Sequence, residues 1–185
     1  LYRFLFRAWQ QVPAHAFSLE ADRLRKLGKP SLHWKNELIW WYGLSLAIAV
    51  LMAWAFGWLG LLFFVGQSFV AFTELEIINY VEHYGLHRRR QADGRFERTT
   101  HQHSWNSSYR VTNLFLFQLQ RHSDHHAHPA RRYQVLRHFD DSPQLPGGYA
   151  AMVLLALVPP LWRRVMEHRV EAYYRNELEQ LGAAA

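Results

Sequence analysis

The sequence predicts an all-α membrane protein: a transmembrane helical hairpin with a cytoplasmic, histidine-rich helical cap. Three observations carry this. Leu38 to Thr73 is a run of 36 residues without Asp, Glu, Lys, Arg or His. A break signal, Gly57-Trp58-Leu59-Gly60, sits inside it. Downstream, Leu119-Gln-Arg-His-Ser-Asp-His-His-Ala-His-Pro129 packs His122, His125, His126 and His128 together. The 185 residues suffice for one domain, and net charge is +6 at pH 7.

The elements follow in order. Residues 1–37 form a basic, aromatic segment taken as cytoplasmic, with an amphipathic helix over Ala16–Leu27 ended by Gly28 and Pro30. Residues 38–79 form the hairpin. A single span needs about 20 residues, so the run divides into Leu38–Phe56 and Leu59–Ile78. A buried hairpin of a soluble protein is the alternative, and uninterrupted apolarity on every face argues against it. Trp40, Trp41, Tyr42 and Trp58 suit the interfaces, and basic residues outside both ends (Lys35, Arg88–Arg90) place those ends in the cytoplasm. The second helix runs on to His83, about 36 Å from Leu59 at 1.5 Å per residue. Against a hydrocarbon core of about 30 Å, His83 falls at or past the cytoplasmic edge, with Glu74, Glu76 and Glu82 nearby.

Residues 80–145 form the His-rich metal-binding region. His87–Ser108 reads as loop, with a turn at Ala92-Asp93-Gly94. The apolar run Val111–Gln120 leads directly into the histidine helix, which Pro129 ends. Residues 146–185 hold a re-entrant or interfacial segment, Tyr149–Trp162, too short to span. A charged helix over Arg163–Leu181, stopped at Gly182, follows.

The chemistry rests on the imidazoles. His122, His125 and His126, at i, i+3 and i+4, share one helix face with Cβ atoms about 5–6 Å apart. Neutral imidazole is the commonest protein metal ligand, and an all-nitrogen set with His83 suits zinc, copper or iron. A pH-sensitive surface cluster is the metal-free alternative. His128 falls on the other side of the helix. His15, His33, His138 and His168 are isolated and read as ordinary histidines. With no Cys in the sequence, disulfides and thiolate metal sites are excluded within it. Clustered Arg beside a membrane segment suits anionic lipid or an acidic protein partner rather than nucleic acid. Leu1 begins the sequence without a signal-peptide pattern, as expected of a piece of something longer.

Several motifs carry a resemblance: Asn79-Tyr-Val-Glu-His-Tyr-Gly-Leu86, His103-Ser-Trp-Asn106, Thr112-Asn-Leu-Phe-Leu116, the histidine box 119–127, and Arg132-Tyr-Gln-Val-Leu-Arg137 with Phe139-Asp140. From about residue 1 to 175 the sequence resembles the membrane alkane 1-monooxygenase (alkane omega-hydroxylase) family, within the membrane fatty acid desaturase/hydroxylase superfamily. The resemblance implies a non-haem di-iron (Fe) oxidoreductase. Such an enzyme uses O2 and electrons from rubredoxin to hydroxylate the terminal methyl of a medium- or long-chain n-alkane, in lipid metabolism. It implies a multi-pass protein of the cell inner membrane with its metal site on the cytoplasmic side. His83, His122, His125 and His126 match the family's iron ligands in this half. Asp124 is a candidate to hold the outer N–H of a ligating imidazole; Glu82 and Asn106 are weaker candidates, and His103 has no assigned ligand role. Trp54, Phe56, Phe63, Phe64, Phe69 and Phe72 lie on the segment that would line a substrate channel, although most are read as lipid-facing or packing residues.

The family's two earlier histidine boxes, His-Glu-x-x-His and Glu-His-x-x-Gly-His-His, do not occur here. The expectation is therefore a C-terminal portion whose iron site is completed by histidines outside this segment and which is inactive alone. Two other readings stay open: a related fatty acyl or aryl-methyl hydroxylase or desaturase, and, for the isolated segment, a non-catalytic membrane metal-binding protein. The basic cytoplasmic face is the expected docking surface for rubredoxin.

Overall fold

The computed structural model describes residues 1–183, with side chains through Arg175. Six α-helices account for most of the chain: α1 (Tyr2–Lys26), α2 (Glu37–His83), α3 (Arg110–Phe115), α4 (His122–Ala127), α5 (Tyr149–Ala156) and α6 (Pro159–Ala183). Short 3-10 turns at His101–His103 and Tyr133–Val135 join them, and there is no β-strand among the described residues. The all-helical class expected from sequence is observed. The chain forms two compact units, Tyr2–Glu76 and the segment from Ile77 onward with Leu1.

In the first unit, α1 is longer than the expected Ala16–Leu27 and passes through Pro13. Proline removes only one helical N–H bond, and the buried side chains Leu5, Ala8 and Leu24 hold the helix on both sides of it. Asn36 starts α2: its Oδ1 accepts from the backbone N–H of Leu38 (2.9 Å) and Ile39 (3.3 Å), satisfying donors that a helix start leaves open. The 47 residues of α2 are not one straight rod. Gly57 adopts φ 68°, ψ −162°, a conformation that costs glycine little and other residues much. A Cβ at Gly60 would lie 2.6 Å from the carbonyl oxygen of Met52. Residues eight apart on a continuous helix are separated by about 12 Å, so the backbone turns sharply at the predicted break. Phe17 of α1 stacks on Tyr42 at 5.5 Å, and Trp9 packs on Phe69 at 5.1 Å, so α1 touches α2 on both sides of the kink. Only 6% of the most apolar 18-residue window of α2 is buried; Trp54, Phe56 and Phe63 are exposed. A soluble core helix would be covered, whereas this surface fits a membrane protein.

The second unit has its own core. Val81, Trp105, Tyr149, Met152, Ala156, Trp162 and Met166 are buried. Trp162 of α6 packs on Tyr80 (5.7 Å) and Tyr84 (5.3 Å), and the Trp105 indole N–H donates to the Tyr84 carbonyl at 2.7 Å. Burying such aromatic side chains dominates core energetics. Two boundaries differ from the sequence expectation. The stretch 111–128 is not one helix: Phe117 (φ 49°) and Gln118 (φ 60°) are left-handed, separating α3 from a six-residue α4. Buried Gln120 rewards the break, because its Oε1 accepts from the Tyr149 N–H at 2.7 Å and its Nε2 donates to Thr112 Oγ1 at 2.8 Å. The apolar stretch 149–162 also divides, into α5 and the first turn of α6, whose opening residue Pro159 lacks an N–H that a helix start does not need. The helix α6 then runs through Gly182 to Ala183 rather than stopping at the glycine.

Candidate metal centre

His83 is the last residue of α2. Its Nδ1 lies 3.0 Å from the carbonyl oxygen of His103. A carbonyl only accepts, so Nδ1 carries the proton and the Nε2 lone pair is free for another partner. That Nε2 lies 3.1 Å from Nε2 of His126. His122 stands at a centroid distance of 4.4 Å from His126 and 5.6 Å from His83. Ligand-capable atoms of His83, His122 and His126 all lie within 4.8 Å of one another.

His125 stands apart. It is exposed and outside that group, with its ring 5.7 Å from His122 and 6.2 Å from His126. On the short α4, His122 and His126 are partly buried while His125 is exposed. His128 is about half exposed, with Nδ1 3.2 Å from Asp124 Oδ1. His103 commits both ring nitrogens, one to Glu97 (3.0 Å) and the other to Thr100 (3.0 Å), so it contributes its carbonyl and not its ring. His138 lies against Ser108 and Asp140, and His168 against the Arg164 carbonyl.

The carboxylates exchange the ranks that sequence suggested. Asp124 is fully buried, but its partners are Arg131 (2.5 Å), the Arg137 N–H (2.8 Å) and His128, not an imidazole of the group. Glu82 is the carboxylate in contact: its Oε2 lies 3.0 Å from His122 Nε2, with side chains 4% and 14% exposed. If that bond takes the His122 Nε2–H, the nitrogen left over is Nδ1, which is buried and has no hydrogen-bond partner. Asn106 is buried elsewhere, taking its backbone bonds from the 143–145 loop. Tyr149, absent from the sequence reading, is fully buried with its hydroxyl against Glu82 and 3.3 Å from the Trp105 carbonyl. Its one advance signal was a tyrosine beginning an otherwise featureless apolar helix.

Electrostatics fit ligation. Burial pushes His122 down to about 4, helped by the charge of His125. Burial pushes His126 down to about 4 as well, with His122, His83 and His125 adding to it. Both are therefore neutral at pH 7, the form that binds a metal. Two nitrogens 3.1 Å apart match adjacent ligands each about 2.0–2.1 Å from one ion. The orphaned Nδ1 of His122 and the carboxylate behind its other nitrogen make the same point: the donor set fits a nitrogen-preferring transition metal, with Glu82 in the outer position that orients ligating histidines. A pocket of about 370 Å³ opens beside it, lined by His83, His87, Arg88, Thr99, His103 and His126, together with Leu86.

The family model for fatty acid desaturase matches residues 1–156, most of the chain and both sources of the clustered histidines. The chain belongs to the fatty acid desaturase family. Within the desaturase family it is 65% identical over 183 residues to alkane 1-monooxygenase 1 of Pseudomonas aeruginosa, covering 99% of this chain and 48% of that protein. It is 60% identical over 181 residues to alkane 1-monooxygenase 2 of Alcanivorax borkumensis, covering 98% and 47%. The xylene/toluene monooxygenase hydroxylase component of Pseudomonas putida is more distant, at 27% over 162 residues, 88% of this chain and 42% of that protein. The chain thus spans about half the length of the curated relatives it matches.

Proposed function

We propose that this chain is the C-terminal part of an integral-membrane, non-haem di-iron monooxygenase that hydroxylates the terminal methyl of medium- or long-chain n-alkanes with O2. The observation that carries the reading is 65% identity to an alkane 1-monooxygenase across almost every residue, together with three neutral imidazoles converging at the end of an apolar helix. Iron would supply the activation of O2 that breaking an inert terminal C–H bond requires. In this chain, His83, His122 and His126 would hold iron, His125 would supply a further imidazole from the same helix, and histidines outside this segment would complete the di-iron site. Glu82 orients His122, and the His103 carbonyl keeps His83 in its Nδ1–H tautomer. The kink at Gly57 and the approach of Gly60 to Met52 support a transmembrane hairpin over 38–79. The flanking Lys35 and Arg88–Arg90 support an inner-membrane, multi-pass protein with the metal site on the cytoplasmic side. Rubredoxin is the proposed electron donor, docking on the basic face, so association weakens as salt rises.

Aryl-methyl hydroxylation is the second reading, favoured only by the 27% likeness to the xylene/toluene enzyme component. The deciding experiment supplies the full-length protein in membranes with rubredoxin, its reductase, and either n-octane, a longer n-alkane or p-xylene. Primary alcohol from the alkanes, at rates well above benzylic alcohol from p-xylene, is the expected result. Benzylic product with no alkanol at any chain length would overturn the alkane reading.

A further inference from the structure

We infer that Tyr173 and Tyr174 of α6 are positioning residues for the metal centre, acting as a two-point clamp that fixes the direction of His83. The inference rests on the reading of His83 as a ligand. His83 is oriented by a carbonyl from a residue 20 positions away: its Nδ1 is 3.0 Å from His103 O. The chain between them leaves α2, makes a loop and returns, so the bond holds its geometry only if both ends of the loop are fixed. The helix α6 touches both ends. At the outgoing end, the Tyr174 hydroxyl donates to the Gly85 carbonyl at 3.2 Å, accepts the His87 N–H at 3.1 Å, and lies 2.9 Å from His87 Nδ1. At the returning end, the Tyr173 hydroxyl donates to the Gln102 carbonyl at 3.2 Å, one residue before His103.

Packing brings α6 close enough to do this. Gly85 has φ +72°, and a Cβ there would lie 2.7 Å from the Val170 side chain. Glycine thus permits both the turn out of α2 and the contact with α6. Inside the loop, Glu97 closes the remaining freedom: it accepts the Arg89 N–H at 2.7 Å and meets His103 Nε2 at 3.0 Å. Carbonyl partners that set the tautomer and plane of a ligating histidine change metal affinity by about 10–100-fold when lost. The clamp therefore acts through the position of a carbonyl, with neither tyrosine touching the metal. It is supplied by a helix beyond residues 1–156 of the desaturase family match but within the stretch shared with the alkane 1-monooxygenases.

The test uses the full-length protein, purified metal-free in detergent and titrated with Co(II) against a chromophoric chelator. The visible ligand-field spectrum is recorded for the parent, Y173F, Y174F, the double variant and H83A. H83A identifies the part of the binding and spectrum that His83 supplies. The double variant is expected to weaken that same component about tenfold or more and to shift its ligand-field band, while thermal unfolding of the metal-free protein shows a folded domain. Each single variant should show a smaller change in the same direction. Co(II) affinity and spectrum unchanged in the double variant, where H83A loses its component, would overturn the clamp alone. An H83A protein indistinguishable from the parent would overturn the ligand reading and the clamp with it. If the double variant does not accumulate, Y173F, which leaves the Gly85 tether in place, decides by the same band.

Discussion

Replacing Asp124 with alanine should loosen α4 from the segment that follows it, and the cost can be worked from its partners. The carboxylate is fully buried. Arg131 Nη1 lies 2.5 Å from both its oxygens, the Arg137 N–H donates to Oδ2 at 2.8 Å, and His128 sits 3.2 Å from Oδ1. Burial alone would raise the Asp124 pKa. The Arg137 N–H, Arg131 and the charge of Arg137 outweigh it and hold the group below its ordinary value. Removing one partner of a buried ion pair costs about 3–5 kcal/mol. Here the Arg131 side chain is 22% exposed and can turn to water, which lowers that figure. The Arg137 N–H also loses its bond to a charged acceptor, which costs about 1.5–3 kcal/mol. Asp124→Ala is therefore expected to destabilise by about 2–4 kcal/mol. Asp124→Asn, whose amide oxygen still accepts the Arg137 N–H, should lose about half as much. Because the folded-state pKa is lowered, this contribution is complete above the unfolded value of about 3.9 and is lost as pH falls below it. Urea unfolding of the metal-free full-length protein at pH 7, with hydrogen exchange at the Arg137 amide, measures both effects. Alanine and asparagine variants within about 0.5 kcal/mol of the parent, the range of an ordinary surface substitution, would refute the assignment of Asp124 as the anchor of α4.

Four further outcomes follow from the same geometry. His122 and His126 titrate at about 4 in the folded chain against about 6.5 unfolded. Between those values the unfolded state binds more protons, so the metal-free protein should gain stability as pH rises from 4 to 6.5 and level off above it; a flat urea midpoint across that window would contradict the burial argument. Glu82→Gln should lower retention of iron against a chelator by about 10–100-fold, the range for a lost outer partner of a ligating histidine, while His125→Ala should abolish alkane turnover and leave membrane insertion intact. Unchanged turnover would remove His125 from the site. Gly60→Leu places a side chain where even a Cβ meets Met52 O at 2.6 Å, and should destabilise by about 1–3 kcal/mol or more, read as a lower thermal midpoint in detergent; an unaltered midpoint would show that the α2 turn tolerates bulk.

Much of the architecture is legible locally because its causes are local. A charge-free run, a Gly-x-x-Gly interruption and a histidine spacing are all patterns within one segment, and each reappears: α2, its kink at Gly57, and α4. His83 is the last residue of α2, five residues past the expected end of the second helix at Ile78. The helix expected to run from 111 into the histidines fails for a non-local reason. Left-handed Phe117 and Gln118 are held by Gln120, whose partners lie at Tyr149 and Thr112, and no window around residue 118 contains that information.

The same division explains the site. Residue types and spacing suffice to nominate four imidazoles, because chelation depends on which donors a helix turn can present. They do not rank the four, since ranking depends on which way each ring faces and what stands behind it. The packing of α4 leaves His125 exposed while His122 and His126 are partly buried; the return of the loop supplies the His103 carbonyl; burial places Glu82 against His122 and turns Asp124 toward Arg131. Periodicity records the face of a helix, whereas tautomer, outer partner and proton affinity are set by atoms that meet across 20 to 40 residues of chain and only once the core around Trp162 and Tyr149 has closed.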